Sequence, residues 1–163
     1  HIPIREHGRL CGCGKRGCLE ALAGRLAISA EVAQAAFRGE APYVAANAGS
    51  DLKKLKSGLL AKAIKAGDRS VERIVRDAMH LLGRAIGGVV NLLAPDVVVL
   101  GGGLVEAVPR IVLEETKAGI QETAMASFLR QFRVVEADLG DDATTLGAAA
   151  LAAEGAVRPR ARK

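Results

Sequence analysis

Hydrophobic residues recur with helical spacing over much of the chain. Residues 19–38 carry such a pattern and are predicted to form one helix. Residues 40–58 are mixed and polar, which favours a loop with a short helix. A stronger i, i+3, i+4 stripe follows, with Asp68 or Ser70 as its N-cap and a stop before Pro95. This stripe predicts a long amphipathic helix.

Two short runs of β-branched residues have the character of strands. Val97 to Leu100 is the first, and three glycines and a helical pattern from about Val105 to Gln121 come after it. The second lies at about 132–137, and a loop and a closing helix of small residues follow it. Strands that alternate with helices predict an α/β fold in which helices pack on a small sheet. With 163 residues, half of them hydrophobic, the chain is sized for one domain or part of one.

The net charge of +5 is concentrated at the C-terminus, because Arg158, Arg160, Arg162 and Lys163 supply four of those five charges. The rest of the chain is close to neutral and has no basic stripe, so a nucleic-acid partner is not expected. The start, HIPIREHGR, lacks an apolar run, and the most apolar later stretch is interrupted by charged residues and proline. We therefore expect no membrane segment and a cytoplasmic protein.

All three cysteines lie in one short stretch, CGCGKRGCLE, at residues 11–20. An odd number of thiols and a C-x-C pair too close to bridge argue against disulfides and favour a metal site. Gly12, Gly14 and Gly17 give the backbone the freedom to curl around one ion. The fourth ligand of a closed tetrahedral zinc site can be His1 or His7, and the spacing leaves both open. A chance cluster of thiols on a loop is the alternative.

The opening HIPI and the stretch CGCGKRGCLE together resemble the signature of the ROK family (repressors, open reading frames, kinases), which contains sugar kinases and sugar-responsive repressors. The resemblance implies a structural zinc held by His1, Cys11, Cys13 and Cys18. It also implies that His1 and Glu20 line a sugar pocket and hydrogen-bond sugar hydroxyls. Without the resemblance, Glu20 is explained as a first-turn helix carboxylate that the helix dipole favours.

Two later stretches, VNLLAPDVVVLGGG and DATTLGAAALAA, are similar to the ROK pattern in the same order. The family fold implied is actin-like (ribonuclease H-like), with Gly101, Gly102 and Gly103 against the adenosine of ATP. The resemblance covers residues 1–155, with a zinc loop at 1–20. We expect residues 156–163 to form a basic, disordered tail.

Parts of the family's kinase machinery have no match here. No D-x-G-x-[ST] phosphate turn occurs in the sequence, and no aspartate matches the catalytic base. The resemblance therefore implies the C-terminal lobe of a glucokinase-like hexose kinase, which uses ATP and Mg²⁺ and is active only with an N-terminal lobe, covalent or separate. A homodimer is also a family expectation. The alternatives are the sugar-sensing domain of a ROK repressor and a zinc-stapled interaction module without a sugar function.

Overall fold

The chain forms eight helices and two strands within residues 1–49, 51 and 53–157, the part that the computed structural model describes. In chain order the elements are α1 (Leu19–Ala23), α2 (Arg25–Phe37), α3 (Pro42–Asn47), α4 (Ser57–Lys65), α5 (Arg69–Leu93), β1 (Val97–Leu100), α6 (Gly103–Ala107), α7 (Pro109–Thr123), β2 (Arg133–Glu136) and α8 (Ala143–Val157). A single 3-10 turn, Gly140–Asp142, precedes α8.

The long helix α5 is the centre of the fold and confirms the strongest sequence prediction. It ends at Leu93, where Ala94 takes a left-handed conformation (φ 44°) directly before Pro95. Its apolar face is buried against α2, α4 and α7, in a core built from Val, Ile, Leu and Ala. At its other end Asp68 is the N-cap residue, but its buried carboxylate accepts hydrogen bonds from the backbone N–H groups of Tyr43 and Val44, so it caps α3.

Helix α7 packs against α5 at very short range. A Cβ atom on Gly83 of α5 would overlap the carbonyl oxygen of Thr116, and one on Gly119 of α7 would overlap that of His80. Only glycine leaves room for two helix backbones at this separation. The crossing therefore fixes α7, and the segment that leads into it, against the central helix.

The two strands form a parallel pair in which Val97 lies opposite Arg133 and Leu100 opposite Glu136. Both strands confirm the sequence prediction, β2 being one residue shorter at each end. Within the described residues β1 pairs only with β2, and Val99 on β1 is 60% exposed. One edge of a strongly apolar strand is thus left uncovered.

The helix predicted over residues 19–38 is wrong as a single element, because the chain breaks at Gly24. This residue is extended (φ −70°, ψ 159°), while its N–H still bonds the carbonyl of Glu20. The helix predicted over 105–121 is also divided, between α6 and α7. Val108 there is non-helical (φ −142°, ψ 56°), because a residue before proline avoids the helical region and Pro109 then opens a new helix.

Helix α4 (Ser57–Lys65) begins at the end of the segment predicted as a loop with a short helix and continues through residues that had no assignment; it buries Leu60 and Ala63. The predicted tail begins at residue 156, yet α8 extends to Val157, and residues 158–163 lie outside the described part of the chain. Within the described residues, no helix has both the length and the hydrophobicity needed to cross a bilayer.

Candidate functional site

The N-terminal segment folds back on itself and brings His1 to the cysteines. Pro3 pairs with Cys18 and Leu10 with Arg16 in two antiparallel bridges. The N–H of Leu19 bonds the carbonyl of Ile2 at 2.8 Å, so the first residues run beside the start of α1. Residues distant in sequence thereby become neighbours at one end of the molecule.

The fold-back of the N-terminal segment depends on Gly17. Its N–H bonds the carbonyl of Arg9 at 2.9 Å, and its carbonyl accepts from the N–H of Ile4 at 2.9 Å. Its backbone is left-handed (φ 72°), and a Cβ there would overlap the carbonyl oxygen of Arg5. Both the conformation and the close approach require glycine.

Four donor atoms, one each from His1, Cys11, Cys13 and Cys18, lie within 4.8 Å of one another. The Sγ atoms of Cys13 and Cys18 are 3.7 Å apart, and Nδ1 of His1 is 3.3 Å from Sγ of Cys11. A tetrahedral zinc ion with bonds of about 2.3 Å to sulfur separates its sulfur ligands by about 3.8 Å. The cluster can therefore hold a metal ion, and its donor set is one that zinc prefers.

The other two histidines lie away from the cysteines. His7 occupies a turn with positive φ (53°), its side chain is 91% exposed, and its nearest carboxylate is that of Glu6 at 3.7 Å. His80 lies on α5, where Nε2 is 3.0 Å from Oε1 of Glu122. Of the two candidates that the spacing left open, the structure brings His1 to the thiols.

Glu20 adjoins the same cluster from the first turn of α1. Its Oε2 atom is 2.8 Å from Nδ1 of His1 and 3.7 Å from Sγ of Cys11. Nδ1 can donate a proton to this carboxylate or offer its lone pair to a cation, but not both. A cation on Nδ1 would free the 60% exposed carboxylate of Glu20 for other donors, whereas a cation on Nε2 would leave the hydrogen bond between Nδ1 and Glu20 in place.

The thiols differ in how readily they ionise. A hydrogen bond from the Lys15 backbone lowers the pKa of the exposed Cys13 thiol. Burial raises the pKa of Cys18 to about 11. Because a thiolate is the metal-binding form, a cation must displace a tightly held proton from Cys18, whereas Cys13 offers its sulfur readily.

The three glycines predicted to contact adenosine link β1 to α6. Gly101 follows the strand, Gly102 has φ 107°, and Gly103 begins the helix. All three line a cavity of about 770 Å³ with a mostly apolar lining, and Gly101 and Gly102 also line one of about 420 Å³. Neither His1 nor Glu20 lines these cavities, so the Cys/His cluster and the glycine loop are separate regions of the described chain.

Polar residues that the sequence did not single out surround the glycine loop. Glu106 and Glu136 line the smaller cavity beside Thr144, and Lys56 and Ser57 border the larger one. Glu106 follows GGGLV directly in the sequence, and this proximity is enough to predict that it lies near the glycine loop. The others come from elements too distant along the chain for any spacing rule to connect them.

Comparison with known proteins identifies one family. The model described as "ROK family" matches residues 1–155. A glucokinase from Thermotoga maritima is 32% identical over 154 residues, which covers 94% of this chain and 48% of the relative. The DNA-binding transcriptional dual regulator NagC of Escherichia coli K12 is 28% identical over 151 residues, 93% of this chain and 35% of its own length.

Solved structures agree with the sequence relatives. A ROK family glucokinase from Streptomyces griseus, solved in complex with glucose and AMPPNP, superposes with a TM-score of 0.79 and 25% identity, over 95% of this chain and 50% of that one. A ROK family transcriptional regulator, a homologue of the E. coli MLC protein, superposes with a TM-score of 0.70 and 26% identity, over 83% and 33%. The chain thus spans about half the length of the glucokinases and about a third of the regulators.

Proposed function

The chain belongs to the ROK family, and from this premise we propose that it is the C-terminal part of an ATP-dependent hexose kinase of the glucokinase type. Its fold is accordingly part of the actin-like fold of ROK sugar kinases. The observation that carries the proposal is the placement of His1 and Glu20 side by side, with 2.8 Å between Nδ1 and Oε2, next to three converging thiols. A histidine held by a metal cluster next to an exposed carboxylate is a suitable arrangement for binding vicinal hydroxyls.

In the proposed site Glu20 accepts hydrogen bonds from sugar hydroxyls. An ionised acceptor forms stronger hydrogen bonds than a neutral one, and Glu20 projects from the first turn of α1 with most of its surface free. His1 contributes whichever ring nitrogen the metal does not use. The two side chains thus orient the hexose rather than react with it.

The metal in this proposal is zinc, bound by His1, Cys11, Cys13 and Cys18 in a structural role. Four protein donors fill a tetrahedral shell and leave no position for water or substrate, so this centre takes no part in phosphoryl transfer. A bound zinc ion would crosslink residues 1–20 and would thereby fix the ring of His1 at the sugar site.

The proposed adenosine site is the glycine loop, residues 101–103. Glycines allow a close approach of ligand to backbone, and the cavity of about 420 Å³ beside them contains Glu106 and Glu136, whose carboxylates can accept hydrogen bonds from ribose hydroxyls. The phosphate groups of ATP need further partners, because the glycine loop carries no lysine of the P-loop type, and Mg²⁺ needs oxygen ligands from outside this loop.

Turnover in this proposal requires an N-terminal lobe, covalent or separate. The sequence contains no D-x-G-x-[ST] phosphate turn and no aspartate matched to the catalytic base, and phosphoryl transfer depends on such a base and on bound Mg²⁺. The uncovered edge of β1 and the apolar cavity beside it are surfaces for this lobe to cover. A cytoplasmic location and a homodimer belong to the same proposal.

The test is to fuse the N-terminal half of the T. maritima glucokinase to this chain and to measure ATP-dependent phosphorylation of glucose in a coupled assay. We expect turnover by the fusion and none by residues 1–163 alone. Glu20→Gln should weaken glucose binding and kcat/KM by about 10- to 100-fold, since a hydrogen bond to a charged group contributes about 1.5–3 kcal/mol. Glu6→Gln, in the same loop and 90% exposed, is the matched control and should change neither.

Clear turnover by residues 1–163 alone would refute the need for a second lobe. A fusion that folds, binds about one zinc per chain and still neither binds nor phosphorylates glucose contradicts the sugar site itself. Isothermal titration with glucose separates these outcomes, because binding can be measured without chemistry.

The second candidate function is the sugar-sensing domain of a ROK repressor, which the similarity to NagC and to the MLC homologue favours. It predicts a fusion that binds a hexose or an N-acetylated hexose through Glu20 but does not transfer phosphate. A third candidate, a zinc-stapled interaction module, predicts that Glu20→Gln changes nothing while zinc stays bound.

A further inference from the structure

Two thiols of the Cys/His cluster, which consists of His1, Cys11, Cys13 and Cys18, lie close enough to be joined by a disulfide. The Sγ atoms of Cys13 and Cys18 are 3.7 Å apart, and all three cysteines are free thiols in the structure. A disulfide bond is about 2.05 Å long, so the two sulfur atoms need to approach each other by about 1.7 Å. The donors that can hold a metal ion therefore include a pair of thiols that oxidation can join.

The backbone around Cys13 can supply this movement. Cys13 lies between Gly12 and Gly14, and a Cβ atom on either glycine would meet no atom within 4 Å. Cys18, in contrast, is held in place, because its backbone pairs with that of Pro3 in an antiparallel bridge. We therefore expect Cys13 to move toward Cys18 when the two sulfur atoms are joined.

The accessibility of the three thiols selects the pair. Cys13 is exposed, whereas Cys11 and Cys18 are buried, with 4% and 0% of their surface accessible. A bond between Cys11 and Cys13 would be strained, because only one residue separates them. A bond between Cys11 and Cys18 would need an oxidant to reach a buried sulfur atom first. The pair of Cys13 and Cys18 combines a thiol that a small oxidant reaches with a buried neighbour that can react next.

We propose that Cys13 and Cys18 form a modification site for hydrogen peroxide, and that the disulfide between them dismantles the Cys/His cluster. In the first step the Cys13 thiolate attacks one peroxide oxygen; an S–O bond forms, the O–O bond breaks and hydroxide leaves, which gives a sulfenic acid. In the second step the Cys18 thiolate attacks the sulfur of Cys13; the S–S bond forms, the S–O bond breaks and a second hydroxide leaves. The two sulfur atoms together lose two electrons, and the peroxide gains them.

The disulfide removes two of the four donors at the cluster. His1 and Cys11 remain, and two donors do not fill the tetrahedral shell of a structural zinc site, so we expect the metal ion to be lost. The hydrophobic core of the described residues is built from side chains other than the cysteines, so the helices should stay folded. The loss of zinc rests on the zinc site of the proposed function, whereas the cross-link itself needs no metal.

The test treats zinc-loaded residues 1–163 with an excess of hydrogen peroxide, counts the free thiols and measures the released zinc with a chromogenic chelator. We expect the number of free thiols per chain to fall from three to one, with about one zinc released for every two thiols lost. Dithiothreitol should restore the thiols and zinc binding. The far-UV circular dichroism spectrum should not change, because the helical core is retained.

The bridge can be located by digestion with trypsin after the remaining thiols have been alkylated. Trypsin cleaves after lysine and arginine, and the turn between Cys13 and Cys18 contains one of each. The digest therefore separates residues 10–15, which carry Cys11 and Cys13, from residues 17–25, which carry Cys18. The proposed disulfide joins these two peptides with the loss of two hydrogen atoms. A bond between Cys11 and Cys13 would instead stay within residues 10–15.

Two variants, compared in the metal-free chain, identify the thiol that reacts first. Cys13→Ser should slow the loss of thiols at least about tenfold, because only buried thiols remain. Cys11→Ser is the matched control, since it removes a thiol from the same loop but leaves the proposed pair intact. It should form the cross-link at a rate within about threefold of that of the wild type.

Several results would overturn the proposal. The linked peptides would be absent, Cys13→Ser would lose its thiols as fast as the wild type, or Cys11→Ser would block the cross-link. A chain that forms the cross-link and still retains its zinc contradicts the dismantling of the cluster. A reduced chain that binds no zinc contradicts the zinc site of the proposed function, and the metal-free chain then still decides whether the cross-link forms.

Discussion

Substitution of Gly17 by alanine tests how the N-terminal loop brings the donor atoms of His1, Cys11, Cys13 and Cys18 together. Gly17 has a left-handed backbone (φ 72°), and the Cβ of an alanine there would overlap the carbonyl oxygen of Arg5 and lie 2.8 Å from its carbonyl carbon. Relief of this overlap moves the segment that contains Arg5 away from residue 17. Because His1 belongs to that segment, it moves away from the thiols, and we expect metal affinity to fall.

The size of the effect follows from two costs. A non-glycine residue in the left-handed region costs about 1–2 kcal/mol. Displacement of a close backbone contact costs about 1–3 kcal/mol more, by analogy with overpacked cores. The sum of about 2–5 kcal/mol corresponds to a loss of metal affinity between about thirtyfold and a few thousandfold.

Two further glycines of the same loop separate these costs. Gly12→Ala meets no atom within 4 Å and has no positive φ, so we expect affinity within about twofold of wild type. Gly14→Ala also has free space, but its φ of 84° carries the backbone cost alone, about 1–2 kcal/mol. The predicted order of affinity is therefore wild type and Gly12→Ala first, Gly14→Ala next, and Gly17→Ala last.

The assay is a titration with Co²⁺, followed by the thiolate-to-metal absorption band, and a competition with Zn²⁺ in the presence of a chelator of known affinity. An affinity of Gly17→Ala within threefold of that of Gly12→Ala would refute the reasoning, since neither the overlap nor the conformation would then control the loop. Thermal unfolding followed by circular dichroism shows whether the helical core is retained in each variant.

Three further perturbations have outcomes that the structure determines. Gly83→Ala should lower the free energy of unfolding by about 1–3 kcal/mol in urea titrations, because its Cβ would overlap the backbone of Thr116. Gly88→Ala, on the same helix but in open space, should instead raise the free energy of unfolding by about 0.5–1 kcal/mol. Asp68→Ala should lower the free energy of unfolding by about 1.5–3 kcal/mol, because two backbone N–H groups at the start of α3 lose their buried acceptor. Asp68→Asn, which keeps one acceptor oxygen, should recover part of this loss. In the metal-free chain, burial raises the pKa of Cys18 from 9.0 to about 11. The stability that comes from burying the protonated thiol is therefore fully present below pH 9 and is lost as the pH rises through 11. Urea midpoints measured with a chelator present should show this loss, and Cys18→Ala should lack it.

The elements that sequence analysis predicted well are those with one strong local cause. Helix α5 has an uninterrupted apolar stripe and a proline after its end, and β1 is a β-branched run that stops at glycine. The two helices that were predicted too long contain breaks that periodicity does not detect. Gly24 and Val108 interrupt the backbone, while the apolar spacing on either side continues to read as one helix.

The candidate site likewise contains features that the sequence predicts and features that depend on the fold. Cysteine spacing alone was enough to predict a metal loop, because three thiols in one glycine-rich stretch have few other uses. The choice between His1 and His7 could not be made from spacing, since it depends on the antiparallel bridge between Pro3 and Cys18, which is a long-range contact. The contact of Glu20 with Nδ1 of His1 depends on the same fold-back and was likewise beyond reach of a spacing rule.

Helix α5 connects the two candidate regions and allows their roles to be separated experimentally. The loop of residues 1–18, which carries the Cys/His cluster, continues into α1, and α1 packs on α5. The glycine loop continues through α6 into α7, which is fixed to α5 at Gly83. A change at Gly83 therefore shifts α7 and the glycine loop without entering the segment that holds His1. In the active fusion, Gly83→Ala should raise the KM for ATP more than the KM for glucose, and Gly17→Ala should do the reverse. Equal effects of both variants on both KM values would show that the two regions do not act as separate binding sites joined by one rigid helix.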